Sequence, residues 1–323
     1  MIATWRRSSV LWIILPVLAA ALAIYPLLPP GIPSTADGPL HLIRDVEYDA
    51  LLRSGVWYPR WAPDLAYGYG YPLFNFYAPL FYYLAEIPHL LGASFQLALK
   101  LTVFFAFVLY GVGPYWWTRR FLGDRAAAVV GVAYLYVPFR FHEAYMQGDY
   151  PQFLALALAP FALGALDRWF AADRVSFRYV VTLTLSVTAI LLVHNISALW
   201  LAPTLAGYAV ILAIVIKGRG VKRAIVRLIQ AIGPAVLALG LSAFFWLPAL
   251  VEQNLVQLYR LRTDDYDVRH SFITLATLLA PPGVVDQTAA NPPPFLHLGW
   301  GQVAMALLTV PLIVLFLRRS SRS

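Results

Sequence analysis

Apolar runs long enough to cross a bilayer recur along most of the chain, each closed off by charge, proline or glycine. They lie near 10–28, 95–117, 124–139, 151–170, 177–193, 196–216, 226–250 and 299–317. At roughly 20 residues per crossing, the pattern predicts an all-α polytopic membrane protein with about eight transmembrane helices. The first run follows Arg6 and Arg7 in the manner of a signal peptide, but it has spanning length and shows no small-residue cleavage site before Pro29-Pro30. It reads as a retained anchor, and residues 1–323 as one transmembrane domain. Two outer loops are long, about 31–94 and 251–298. Long ordered loops in compact proteins are usually functional, and the first is too aromatic for disorder.

Within that loop Leu40, Ile43, Val46, Ala50 and Leu51 recur at helical spacing, while Arg44, Asp45, Glu47, Asp49 and Arg53 occupy the other face and Gly55 supplies a stop. The expected element is a short amphipathic helix lying along the membrane surface. Residues 73–92 are apolar enough to span, yet carry Asn75, Pro79, Glu86 and Pro88. As a crossing they would move Arg119, Arg120 and Arg125 to the outer side, against the positive-inside bias. They are therefore placed in the outer interface, or as a segment that dips in and returns.

Composition agrees with the pattern: 60% of residues are hydrophobic, 12% are charged, and mean hydropathy is +0.68. No single soluble core could hide that much apolar surface. The absence of cysteine rules out disulfides, thiolate metal sites and thiol nucleophiles. A net charge of +8 does not point to nucleic acid, because the cations punctuate apolar runs instead of forming a basic patch on a soluble surface. They report orientation: the positive-inside bias puts both termini in the cytoplasm and the protein in the cell membrane. Only Asp124, Asp167 and Asp173 then remain inside, and all six histidines fall at or beyond outer ends of spans. The chain has no P-loop, no dinucleotide fingerprint, no H-E-x-x-H and no G-x-S-x-G, so nucleotide hydrolysis, dinucleotide redox and zinc proteolysis lose their usual sequence support.

The chemistry-bearing residues follow from this topography. Asp37 and His41 emerge directly outside the first span, where an acid can draw a proton from an acceptor while a lipid-linked donor stays in the bilayer. Asp37 ahead of Gly38-Pro39 is equally an ordinary helix N-cap. The loop at 140–151 gathers Arg140, His142, Glu143 and Asp149: a cation and an imidazole suit a phosphate leaving group, and carboxylates can orient an acceptor or assist a metal. Asp149 ahead of Pro151 also has capping grammar. His194-Asn195 interrupts two apolar runs at an outer turn, a place that Asn fills for turn geometry alone. The aromatic run Trp57-Tyr58-Pro59-Arg60-Trp61, Tyr67 to Tyr71 and Phe74 to Tyr77 fits an interface belt or, more sharply, a sugar platform, with Arg60 as its phosphate ligand. Lys100, within the second span, could neutralise a lipid phosphate or snorkel to the surface. Asp264-Asp265 with Asp267 lacks the spacing of a calcium loop and reads as a solvated charge run.

The first span, the acid-bearing outer loop with its surface helix, and the second acidic outer loop together resemble the GT-C class of integral-membrane glycosyltransferases. More narrowly, Asp37-Gly38-Pro39-Leu40-His41, Trp57-Tyr58-Pro59-Arg60-Trp61 and Tyr69-Gly70-Tyr71-Pro72-Leu73-Phe74-Asn75-Phe76-Tyr77 resemble bacterial membrane proteins labelled 6-pyruvoyl-tetrahydropterin synthase-related. Nothing in these residues speaks of pterin chemistry. The GT-C resemblance implies a fold of that kind and a polyprenyl-phosphate sugar as donor. It also implies Asp37 as base or as metal and acceptor ligand, and Asp149 or Glu143 as the acid of the second loop. A divalent cation is the cofactor it allows; membrane lipid, and no nucleic acid, completes the set of partners. His41, Arg60, Arg140, His142, His194 and Asn195 are then the substrate-binding candidates. Many GT-C enzymes pair two acids in the first loop, whereas Asp37 stands alone until Asp45. Two competing classes are a transporter or lipid flippase, which should show paired repeats and broken helices near mid-membrane, and a catalytically silent membrane scaffold.

Overall fold

A computed structural model of the chain describes residues 7–216, 220–257, 259, 272–281 and 297–309. Among them every regular element is helical, apart from one isolated antiparallel bridge between Ala62 and Tyr71. In chain order the principal helices are α1 (Arg7–Ala23), α2 (Gly38–Arg53), α3 (Leu73–Phe76), α4 (Leu80–Leu90), α5 (Phe95–Leu135), α6 (Pro138–His142), α7 (Tyr150–Ala171), α8 (Phe177–Val193), α9 (Asn195–Ile216), α10 (Val221–Leu241) and α11 (Ala243–Val251).

Four of these, α5, α7, α9 and α10, are long and apolar enough to cross a membrane, and α8 and the apolar part of α1 are shorter. Their burial ranks them. The most apolar stretch of α7 is 78% buried, against 28% in α9 and 22% in α10, so α7 is the central pillar and the other two present apolar side chains outward. An apolar helix left uncovered is what a membrane protein shows to lipid. One core cluster joins α1, α2, α4, α5 and the first half of α7, and a second joins the rest of α7 to α8, α9 and α10.

The 41 residues of α5 are not one rod. Gly123 breaks the helix at φ 78°, ψ 170°, and the two halves fold back on each other. Tyr115 Oη donates to Asp124 Oδ1 at 2.9 Å across the bend, and Tyr115 packs on Ala127 and Ala128. The halves approach through glycine: a Cβ added at Gly131 would run into the carbonyl oxygen of Gly111, and one added at Gly111 would lie 2.9 Å from Pro16 of α1. The separate runs expected at 95–117 and 124–139 thus correspond to the two arms of a hairpin. The run expected at 226–250 is interrupted instead. Ser242 ends α10, and its buried hydroxyl donates to Ala238 O at 2.8 Å, so α11 starts as a new helix. The last run is described only as far as residue 309, and Asp264, Asp265 and Asp267 lie outside the described residues.

Residues 73–92 form α3 and α4, of 4 and 11 residues, too short to cross. They do not lie on the surface, however, because α4 packs against α2, α5 and α8. The helix α2 forms where its periodicity placed it, with the two faces the spacing separates. Leu40, Ile43, Val46 and Ala50 are exposed, whereas His41, Asp45, Glu47, Tyr48 and Asp49 are buried. Its charged side faces the bundle and its apolar side faces outward. Lys100 Nζ donates to Pro29 O at the end of the first span.

Ionisable groups separate to two ends. At one end Arg120 grips Asp167 through two hydrogen bonds of 2.7 and 3.0 Å, and Arg223 bonds Asp173 at 3.0 Å. At the other end the loops around Asp37, Glu143, Asp149 and His194 meet. Gly131→Ala should destabilise the protein by about 1–3 kcal/mol, because the α5 arms cannot separate without losing α1 packing. Gly207→Ala in α9, where an added Cβ meets nothing within 4 Å, should be neutral or gain a few tenths of a kcal/mol. Thermal unfolding of the two variants in one detergent checks the contrast.

Candidate functional site

The site is assembled by main chain first. Ala36 N donates to Met146 O at 3.0 Å and Asp37 N to Gln147 O at 2.7 Å, stitching the first long loop to the turn that precedes α7. The contact demands glycine on both sides. Gly148 is left-handed at φ 74°, and an added Cβ there would lie 2.7 Å from Gly38 N and also collide with Thr35. Thr35 Oγ1 accepts from Gly38 N at 3.0 Å and so caps the start of α2. Asp37 holds the N-cap position of that helix but makes no capping bond; its Oδ2 accepts from Gln147 Nε2 at 2.7 Å instead.

A wide π-type turn, Glu143–Gln147, carries the second acid. Glu143 is buried, and its Oε2 accepts from Gln152 Nε2 at 2.7 Å. Burial, reinforced by the charges of Asp149 and Asp37, raises its pKa to about 7. Asp149 does two things: Oδ1 caps α7 by accepting from Gln152 N at 3.2 Å, and Oδ2 lies 3.7 Å from His194 Nε2. The Nδ1 of His194 accepts from Ser197 N at 3.2 Å, which assigns the proton of the neutral ring to Nε2, facing Asp149. Burial pushes Asp149 up and His194 down.

Cations complete the cluster. The Arg44 guanidinium lies 4.5 Å from the centre of the Tyr77 ring and acts on Asp149 through space. Arg140 lies over Tyr110 and Tyr134 at 4.8 and 4.9 Å, and its Nε has no hydrogen-bond partner among the described residues. His142, beside Phe139, has a buried Nδ1 with no hydrogen-bond partner among the described residues, and burial lowers its pKa.

Other candidates take different places. His41 is fully enclosed by Tyr77, Phe81, Tyr82 and Tyr150, with Nδ1 3.1 Å from Tyr82 Oη. Burial, helped by Arg44 and His194, lowers its pKa to about 3, so it is a neutral core histidine under the site. Arg60 is engaged: Nη2 donates to Glu252 Oε2 at 2.5 Å and Nε to Asn75 Oδ1 at 2.7 Å, fastening the aromatic loop to the end of α11. Asn195 is exposed and donates weakly to Phe76 O at 3.4 Å. Trp57, Trp61, Tyr67 and Tyr69 are exposed, the placement that a belt or a platform equally requires.

The residues passed over in the sequence are Arg44 and Gln147. The signal for Arg44 existed: positions 41, 44, 45 and 48 share one helical face, and all four carry polar groups. The first-loop acid does not gain a metal-binding neighbourhood, because no group of three or more Asp, Glu, His or Cys among the described residues is placed to hold a metal ion. The donors fit a hydrogen-bonded acid cluster, with Asp37 and Glu143 each bound to a glutamine amide.

A family model described as 6-pyruvoyl-tetrahydropterin synthase related domain, membrane protein, matches residues 74–265, more than half of the chain. The match takes in α4 to α11, with Glu143, Asp149 and His194, and begins after Asp37. No curated protein and no solved structure matches.

Glu143 makes stability depend on pH in a definite sense. With its pKa raised from 4.5 to about 7, the folded protein holds a proton that the unfolded chain has released. Its contribution is complete below about pH 4.5 and is lost as pH rises to about 7, by at most ~3 kcal/mol. Thermal unfolding at pH 5 and pH 8 should show a smaller loss at high pH for Glu143→Gln than for the parent.

Proposed function

The chain belongs to the 6-pyruvoyl-tetrahydropterin synthase related family of membrane proteins, and on the geometry of its acidic end we propose that it is a membrane glycosyltransferase. The sugar would come from a polyprenyl-phosphate donor and pass to an acceptor hydroxyl on the outer face of the cell membrane. The observation that carries the reading is the convergence of Asp37, Glu143, Asp149, His194 and Arg44, from three separate segments, at one end of a helical bundle. Proton acceptors beside fixed cations are what transfer from a phosphate carrier needs.

The step has simple chemistry. The acceptor oxygen attacks the anomeric carbon, the bond from that carbon to the phosphate oxygen breaks, and the phosphate leaves with the electron pair. Asp37 takes the acceptor proton, oriented by the amide of Gln147. Arg44 and Arg140 stabilise the charge on the leaving phosphate. Arg60 is not given this task, because Glu252 already neutralises it. Asp149 and His194 lie beside the reacting groups, Gln152 ties Glu143 to Asp149, and the exposed aromatic loop offers faces for the sugar.

The same reading takes the protein as a single GT-C-like domain of eight crossings, counting the two arms of α5, the first and eighth helices, and the run after 299. Its termini lie in the cytoplasm, on the side of the arginine-rich end.

Asp37→Asn, reconstituted in nanodiscs with a polyprenyl-phosphate hexose and an acceptor pool, should lose about 10²–10⁴-fold in rate while inserting and unfolding like the parent. Mass spectrometry of the product decides: transfer at the parental rate removes Asp37 from the mechanism, and vesicle uptake of the lipid without covalent product makes the protein a carrier.

A further inference from the structure

The end opposite the acids holds a second polar feature that this chemistry does not use. The turn between α7 and α8 meets the start of α10 around an open cavity of about 510 Å³, whose polar lining is Asp173, Arg174, Arg223, Arg227 and Gln230. Its floor is built. Buried Arg227 donates from Nη2 to the carbonyls of Ala172 and Asp173 at 2.8 and 2.9 Å, and Arg223 Nη2 donates to Ala172 O at 2.9 Å and Asp173 Oδ1 at 3.0 Å. These two guanidiniums close the carbonyl end of α7. Arg174 lines the rim with Lys222 nearby, both exposed.

Charge in the cavity is unbalanced, since three arginines face the single carboxylate of Asp173. Among the described residues no second carboxylate lines it. Both helices that begin here carry cations instead of acids in their first turns, Arg178 in α8 and Lys222 with Arg223 in α10. Cations are disfavoured at the amino end of a helix unless an anion offsets them.

The surroundings say what kind of anion. Val175 and Val226 complete the lining, and from Val226 an exposed apolar ridge continues along the same face of α10 through Gly233, Leu237 and Leu241. A cluster of guanidiniums above an uncovered apolar ridge matches a molecule with a phosphate head and an acyl tail. We propose that this cavity binds the phosphate head group of an anionic membrane phospholipid whose acyl chain lies along the Val226 to Leu241 face of α10. A free phosphate ion would use the arginines and leave the ridge without a partner.

The test uses the full chain in mild detergent, titrated with phosphatidylglycerol or phosphatidylcholine and read by native mass spectrometry. Phosphatidylglycerol should be retained in preference to phosphatidylcholine, and retention should fall as sodium chloride is raised. Arg174→Gln with Lys222→Gln removes two cations that make no hydrogen bond among the described residues, and should weaken phosphatidylglycerol retention roughly 25-fold, about fivefold per charge. Equal retention of the two lipids, retention indifferent to salt, or an unchanged double variant would each overturn the proposal. Displacement of the lipid by inorganic phosphate at equal concentration would overturn it too, in favour of a simple anion site. The salt titration is made on the unaltered protein, so it decides even if the double variant fails to fold.

Discussion

Two main-chain hydrogen bonds, Ala36 to Met146 and Asp37 to Gln147, hold together everything of chemical interest in this protein. They join segments 110 residues apart and close enough that only glycine fits at 38 and 148. Once that stitch is made, Thr35 caps α2, Asp37 is freed from capping and meets Gln147, and Asp149 starts α7 within reach of His194. Side-chain chemistry here is a consequence of backbone register. A loop that drifted by one residue would leave the same acids in the chain and no cluster in space.

The helix α2, charged side inward, belongs to the same arrangement. Burying Asp45, Glu47 and Asp49 is expensive unless partners or protons compensate. Glu47 accepts from Asp64 N at 3.1 Å and Asp49 accepts from Arg53 at 2.6 Å. Asp45 has neither partner, and burial with the nearby Glu86 raises its pKa well above the ordinary carboxylate range. Burial also raises Glu86, to about 7. The protein therefore stores protonatable groups between α2 and α4 as well as above them, and the outward apolar face of α2 is stable only where something other than water covers it. A membrane supplies that cover, in keeping with the uncovered faces of α9 and α10.

The two ends of the bundle solve different electrostatic problems. At the arginine-rich end, guanidiniums close helix termini and grip single carboxylates, as Arg227 does for α7 and Arg120 for Asp167. At the acidic end, Asp37 and Glu143 each accept from a glutamine amide and Asp149 lies beside a histidine, with no arginine among the described residues gripping any of the three. Lys100, reaching to Pro29, and Arg60, tied to Glu252, keep their charges clear of the acids.

Hydropathy read along the chain was enough for the class, the helical bundle, the bounds of α7, α8 and α9, and the gathering of acids and histidines beside one set of loops, because each depends on composition over a helix length. The break between the runs at 95–117 and 124–139 marked the bend in α5, and Asp149 the start of α7, since both are local signals. Three matters lay beyond such reading. Which face of α2 turns inward depends on tyrosines of α4 packing on Tyr48 and His41. Whether Asp37 caps a helix depends on Thr35 taking that task. Whether Arg60 is available depends on Glu252, 192 residues away. Each is a competition between partners for one polar group, and contacts between distant segments settle such competitions, whereas periodicity reports only a residue's nearest turns.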